Sequence, residues 1–528
     1  MQFYAVFPGL CLAILLTALE SSILGIALPS ITASLDSGAL YIWALNGYYL
    51  AVAVVQPVYG QCADILGRRI PMTAALVSFT LGSGISGGAV SIEMLVAGRV
   101  IQGVGGGGIM VMVYIIIADL VPLRFRQKYT AITMSFFALG MFVGPIIGGV
   151  IVTKASWRWI FYLNVPIGGV ALILVSFFLK LKHDRRGATL ANLKRIDWLG
   201  NGILTATVAS ILIALTWGGT LYSWKSSNVL APFLVGLAGL VIFALHQVSF
   251  SPSPITPSRL FSHRASLIGF AISFLHGVIL TWVGWMLAAY FQALKECTPL
   301  QTGVNVLALA ILFPPSGIIG GLVIAKTGRY KPLLIAGLAL IPLGAGCFTT
   351  LNPESTTGMG VGFQILLAVG LGLTMQAALP AIQATLPEED VALATAAWGF
   401  VRSFGFIWGA AIPAAVFNSR VDSLLGQISD PGVRQLLARG GAYEHATRKF
   451  ITSFNDSPEL KRDILNLYTL SLRETWQVLI GFAAVAFLLS LCIPEVPLRK
   501  TLETKFGLKE GGEDCKSGKG HEGEGIEG

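Results

Sequence analysis

Three charged side chains fall where charge is least expected. Glu20 is the one acid near the middle of the first long apolar run, and Arg99 and Arg402 are the only Lys or Arg residues inside the later runs. A charge at the centre of a bilayer costs about 2.5–3.5 kcal/mol on insertion scales, so such a residue normally faces a polar cavity or a partner. Desolvation disfavours a carboxylate and a neighbouring cation favours it. These opposed pulls let a carboxyl take up and release a proton, with an arginine as its alternating partner. The plain alternatives are a neutral, hydrogen-bonded Glu20 lining a cavity, and a structural ion pair or snorkelling side chain for each arginine. For Arg402 the sequence favours neither reading.

Such residues must be carried by membrane-crossing helices. Of the 528 residues, 54% are hydrophobic and only 12% charged, against about 25% charged in a soluble domain. Apolar runs of about 18–25 residues recur, long enough for a bilayer core of about 30 Å. They fall at 6–29, 42–62, 71–90, 94–117, 129–152, 159–179, 197–217, 229–250, 265–290, 303–325, 332–351, 358–384, 391–417 and 475–493. That predicts an all-α polytopic membrane protein of about fourteen spans, the first of them an uncleaved span, not a signal peptide. The net charge of +9 does not point to nucleic acid, because the charges sit in short loops between spans. The six cysteines form no CxxC pair, which argues against a disulfide framework or a zinc site. No metal cluster or phosphate loop stands out, so no cofactor and no metal are expected. Gly103 to Gly108 fits G-x-G-x-x-G but lies inside an apolar helix rather than after a strand, so helix packing explains it. Gly84-Ile-Ser86-Gly87 fits the G-x-S-G of intramembrane serine proteases, but nothing else supports a polytopic membrane enzyme.

Lys and Arg collect in one set of loops, at Arg68, Arg69, Arg124, Arg126, Lys128, Lys180, Lys182, Arg185, Arg186, Lys194, Arg195, Arg259, Arg264, Lys326, Arg329 and Lys331. The opposite short loops hold only Lys154, Arg158, Lys225 and Lys295. The positive-inside rule then places both termini in the cytosol. One long outer loop, 418–474, mixes both signs and suggests short amphipathic helices outside the membrane. It contains the N-x-S sequon at Asn455, a candidate glycosylation site closely followed by Pro458. The Gly- and charge-rich tail, 501–528, is expected to be disordered.

An internal repeat is visible. Gly60, Gly67, Arg68 and Pro71 follow the second span, and Gly321, Gly328, Arg329 and Pro332 follow the tenth at the same offsets. The second copy has Ala325 where the first has Asp64. Transporter folds are commonly built from such repeats. The duplication implies an N-terminal six-helix bundle over 1–179 and a C-terminal one over 265–500. Between them, 180–264 would hold a cytosolic linker and two inserted spans.

Gly60, Asp64, Gly67, Arg68 and Arg69 resemble the loop signature of the major facilitator superfamily. Arg99, Gln102, Gly103 and Gly105 in the fourth span resemble its second signature, and Gly140, Gly144, Pro145, Gly148 and Gly149 in the fifth resemble its antiporter motif. Leu19-Glu20 through Pro29 is similar to the first-span motif of the fourteen-helix drug:proton antiporters, which usually have Asp where this chain has Glu20. Trp157-Arg158-Trp159 through Gly168, and Asp197-Trp198-Leu199-Gly200, look like the fungal efflux-pump branch.

The resemblance implies the major facilitator fold, with two six-helix bundles and two inserted helices. It implies proton coupling or a substrate cavity at Arg99 and Gln102, and a gating latch at Asp64, Arg68 and Arg69; Glu20, where the family usually has Asp, and Arg402 join the candidate cavity residues as charges inside spans. Packing alone is also a sufficient account of the glycines of the fifth span. The expected function is a monomeric, proton-coupled exporter of a toxin, drug or secondary metabolite at the plasma membrane, the vacuolar membrane being the alternative. Its partners would be a small-molecule substrate, protons and the lipid bilayer, with no nucleic acid. A siderophore–proton importer of the same fold is the rival.

Overall fold

The computed structural model describes residues 2–35, 41–179, 196–218, 222–438 and 440–499. The expected disordered tail, 501–528, and nearly all of the basic linker lie outside the described residues. The chain is helical, with no strand among the described residues. Its long helices are α1 Gln2–Leu35, α2 Tyr41–Leu66, α3 Arg69–Gly87, α4 Ile92–Leu120, α5 Leu123–Lys154 and α6 Arg158–Phe178. They continue with α7 Trp198–Trp217, α8 Ser227–Leu245, α9 Arg264–Ala289, α10 Pro299–Thr327, α11 Lys331–Phe348, α12 Thr357–Gln383, α13 Val391–Leu424 and α14 Pro458–Cys492. Thirteen helices among the described residues are long and apolar enough to cross a membrane. With α5, whose 32 residues are largely apolar from Ala131 to Gly148, the set reaches the expected fourteen. On α8, Leu234, Val241 and Leu245 are exposed, an outer surface that only lipid would cover.

Local chemistry explains several ends. Ser91 caps α4, and Thr298 and Gln301 form a reciprocal capping box on α10 with Pro299 in its first turn. Gly67 and Gly328, at matching positions of the repeat, both adopt positive φ, 77° and 73°. That conformation is cheap only for glycine, and it turns the chain from α2 into α3 and from α10 into α11.

At the expected outer loop, 418–474, the helix limits differ from expectation. The thirteenth helix runs on to Leu424 and the last begins at Pro458 rather than near 475, leaving a connection over 425–457 that holds three short α-helices and a 3-10 turn. The apolar runs missed these turns because they are amphipathic. Ile464, Leu467, Tyr468, Leu472 and Thr475 recur at helical spacing and are buried, whereas Arg462, Asp463, Asn466, Arg473 and Glu474 interrupt the apolar run.

The packing repeats itself. In the first six helices α3 packs on α4, α2 on α4, α1 on α5, and α6 on both α1 and α3. In the last six, α11 packs on α12, α10 on α12, α9 on α13, and α14 on both α9 and α11. Each contact maps onto its counterpart by adding eight to the helix number. The bundles meet through α2 with α13 and α5 with α10, a pair that the same operation exchanges. At the equivalent glycines, a Cβ on Gly60 would lie 2.4 Å from Ala396 of α13, and one on Gly321 would lie 2.8 Å from the Gln127 carbonyl of α5. Helices α7 and α8 pack on each other and lean on α2 and α13.

Candidate functional site

Glu20 and Arg99 meet inside the first bundle. Both are fully buried and form an ion pair between α1 and α4. The guanidinium also donates to the Ala44 carbonyl at 3.0 Å and to Gln102 Oε1 at 2.7 Å. Its Cζ stands 4.3 Å from the centre of the Tyr48 ring, close enough for a cation–π contact. Gln102 Nε2 donates to Ser83 Oγ on α3 at 2.8 Å. Asn164 Nδ2 donates to the second carboxylate oxygen of Glu20 at 2.5 Å. Four helices and the turn at Asn164 thus hold one carboxylate and one guanidinium out of water, with hydrogen bonds on both oxygens of the acid.

Small residues bring these helices close. On α5, a Cβ on Gly140 would lie 2.9 Å from the Leu15 carbonyl, and one on Gly148 would meet Ile23 at 3.0 Å. Ser22 Oγ donates to the Gly140 carbonyl at 3.2 Å. This stripe presses α5 onto the part of α1 that carries Glu20. The side chains of Pro145 and Gly149 lie outside the described set. On α4, the run that imitates a dinucleotide motif is a packing face: a Cβ on Gly105 would sit 2.3 Å from the backbone nitrogen of Phe79 on α3. On its other side, one on Gly107 would sit 2.5 Å from the Val52 carbonyl on α2.

A second charged cluster lies at the face where α2 ends and α3 begins, called the basic face below. Arg68 is buried and bridges two acids. It pairs with Asp64 at 3.2 Å and with Asp119, at the end of α4, at 2.5 Å. Arg69 turns away and donates to the Ser176 carbonyl at 2.6 Å, joining α3 to α6. The bundles are tied across this face. Arg126 Nη2 donates to Glu388 Oε2 at 2.8 Å, and Arg124 Nε to the Ala325 carbonyl at 2.7 Å. Deeper in, Gln56 Nε2 donates to Ser403 Oγ at 3.2 Å.

The sequence model of the Major Facilitator Superfamily matches residues 10–410. The chain belongs to the major facilitator superfamily. The MFS-type transporter gkaD of Penicillium citrinum is 45% identical over 509 residues, covering 96% of this chain and 87% of its own length. Efflux pump FUS6 of Gibberella moniliformis is 43% identical, with 99% and 93% covered. Among solved structures, the proton:xylose symporter XylE superposes with a TM-score of 0.58 at 12% identity over 94% of this chain and 97% of that one. This facilitator is a multi-pass membrane transporter and not an enzyme.

Arg402 stands apart from the Glu20 cluster. It sits on α13 between the rings of Trp398 and Phe406, with its Cζ 5.4 and 5.3 Å from their centres. Two further site residues were not assigned a role from the sequence, although Asn164 lies in the Trp157–Gly168 motif. Asn164 sits where α6 breaks between Arg158–Tyr162 and Asn164–Phe178, and Pro166 two residues later was the available signal. Asp119 closes a long apolar run, with the basic residues Arg124 and Arg126 just beyond as its signal.

At the basic face the inserted helices have their own anchor. Asp197 accepts hydrogen bonds from the Gly200 amide at 2.7 Å, Gln247 and Ser251 at 2.8 Å, and contacts His246 Nε2 at 3.0 Å. Its own amide donates to Gln61 Oε1 on α2 at 3.3 Å. Burial alone would raise the carboxyl's pKa, but the hydrogen bonds from His246, Gly200, Ser251 and Gln247 outweigh it and hold the pKa below its usual value.

Proposed function

We propose that this facilitator exports small organic molecules across the plasma membrane in exchange for protons, working as a monomer with both termini in the cytosol. The observation that carries the reading is the sealed Glu20–Arg99 pair. A buried ion pair adds little stability: replacing one by apolar packing is often neutral or stabilising by about 1–4 kcal/mol. A pair of this kind, hydrogen-bonded on both sides, suits a switch better than a brace. Protonation of Glu20 cancels one charge and leaves Arg99 uncompensated, which favours a second arrangement of the helices. The efflux names of relatives such as FUS6 support export over siderophore uptake.

The ties at Arg126 and Arg124 hold the basic face shut, and the Lys/Arg distribution supports a cytosolic position for that face. Loading substrate from the cytosol would break them. Proton entry from outside, protonation of Glu20 and rearrangement of Arg99 then form one downhill half of the cycle. Asn455 is exposed in the connection between α13 and α14, on the opposite face, where a glycan could be attached.

The test is Glu20→Gln in proteoliposomes with an imposed pH gradient. Gradient-driven transport should be lost, while substrate exchange without a gradient persists. A variant that still concentrates substrate as wild type does would show that Glu20 is not the coupling group.

A further inference from the structure

Arg99 spends its charge on Glu20, but Arg402 has no such partner. Among the described residues no carboxylate pairs with it, and its Nε is buried without a hydrogen-bond acceptor. The indole N–H of Trp398, one turn earlier on the same helix face, is also unpartnered. Arginine stays protonated at any working pH, so this is a permanent cation lacking a counter-ion. Two orphaned donors on one helix face are costly unless something accepts from them. The bundle surrounds Arg402 on every side, yet the side chain keeps accessible surface, so it borders internal space.

That space lies on the seam between the bundles. Tyr114 of α4 packs edge-on against Trp398, with ring centres 5.2 Å apart, and its hydroxyl is Arg402's hydrogen-bonding neighbour. The same hydroxyl donates to Met134 Sδ on α5 at 3.4 Å. Met134 in turn lines a water-sized void of about 10 Å³ with Phe313, Met375 and Gln376, where Gln376 Oε1 is buried and unpartnered. The seam thus holds unused donors at Arg402 and Trp398 and, beside the void, an unused acceptor. Aromatic walls with a few polar groups of this kind orient a flat organic molecule once the bundles part along the seam.

We infer that Arg402, with Trp398 and Phe406, is a binding subsite for the anionic oxygen of a flat, conjugated substrate, such as an aromatic carboxylate. The oxygen would accept from Arg402 Nε and the Trp398 indole N–H, while the ring lies against the aromatic walls. A proton-coupling role is disfavoured for Arg402, because it faces no acid to exchange with. Its titratable neighbours are Tyr114 and His276, and His276 Nε2 is already engaged with the Leu371 carbonyl at 3.0 Å. This inference deepens the exporter reading by naming its substrate class.

The test is equilibrium dialysis of the purified full chain at pH 7.5, with no gradient, against 9-anthracenecarboxylate and its neutral carboxamide. Wild type should hold the carboxylate at least about tenfold tighter, the scale of a charge-assisted hydrogen bond. Arg402→Gln should remove that preference and leave amide binding within about twofold, and Arg402→Lys should restore part of it. Trp398→Phe keeps the ring and removes the N–H, so it should weaken the carboxylate alone; it also serves if the arginine variants fail to fold. Equal affinities in wild type, no binding of the carboxylate, or a preference that survives both Arg402→Gln and Trp398→Phe would overturn the assignment. Because no proton gradient is present, a failure of Glu20 as the coupling group would leave these affinities unchanged.

Discussion

Replacing Gly105 by alanine tests whether backbone contact between α3 and α4 positions the Arg99 site. The new Cβ would lie 2.3 Å from Phe79 N, 2.5 Å from the Ala75 carbonyl and 2.6 Å from Phe79 Cα, where ordinary contact begins at 3.4 Å. These are backbone atoms, so no side chain can swing aside and the helices must part by roughly 1 Å. Overpacking of this kind costs about 1–3 kcal/mol. The Gln102–Ser83 bond, 2.8 Å long and one turn away, would be stretched out of range, adding about 0.5–1.5 kcal/mol. Alanine's better helix propensity returns about 1 kcal/mol, leaving a net loss of about 2 kcal/mol. Gly84, on α3, is the control: a Cβ there meets nothing within 4 Å, so Gly84→Ala should be neutral or stabilising by up to about 1 kcal/mol. Melting of a fluorescent-protein fusion followed by size exclusion reads both, alongside transport. If Gly105→Ala melts and transports like Gly84→Ala, close backbone packing is not what sets the site.

Three further outcomes are expected. Asp119→Asn should cost about 3–5 kcal/mol, since it leaves buried Arg68 short of its closer partner, and Asp64→Asn about 1 kcal/mol or less. Maleimide labelling of Cys62, near the basic face, should rise more in the first, and equal effects would contradict the ranking. The Asp197 anchor, whose carboxyl sits below its ordinary range, gives stability that is present above the unfolded value of about 3.9 and lost as pH falls through the folded one. Thermal stability should therefore not fall through this group between pH 7 and 5, and a drop in that window absent from Asp197→Asn would refute the assignment. Asn455→Gln should abolish a glycosidase-sensitive gel shift; a shift that persists would place the glycan elsewhere.

The membrane fold was legible because burial in lipid demands unbroken apolar runs, which a sequence displays directly. Glu20 and Arg99 were legible for the same reason, as exceptions inside such runs. Asn164 and Asp119 were harder to see. Asparagine in a span is unremarkable until the neighbouring helix supplies a carboxylate 144 residues away in the chain. Asp119 sits at the end of its run, where an acid reads as the membrane boundary, and only the approach of α2 to α4 gives it Arg68. The early start of α14 was missed because half-polar turns lack the signal of a span. Arg402 stood out as a charge, but its lack of an acid partner is a fact of packing that no spacing conveys.

The matched glycines at 60 and 321 have a mechanical consequence. Each lets the chain of one bundle rest almost directly on the other, against Ala396 and against the Gln127 carbonyl. A seat without interlocking side chains has few rotamers to rearrange as it parts. The two seats are exchanged by the repeat, so they behave as paired bearings of a rocker. Resistance to rocking then comes from removable ties such as Arg126–Glu388 and Gln56–Ser403, and a bulky side chain at either glycine would act as a wedge rather than as a weaker latch.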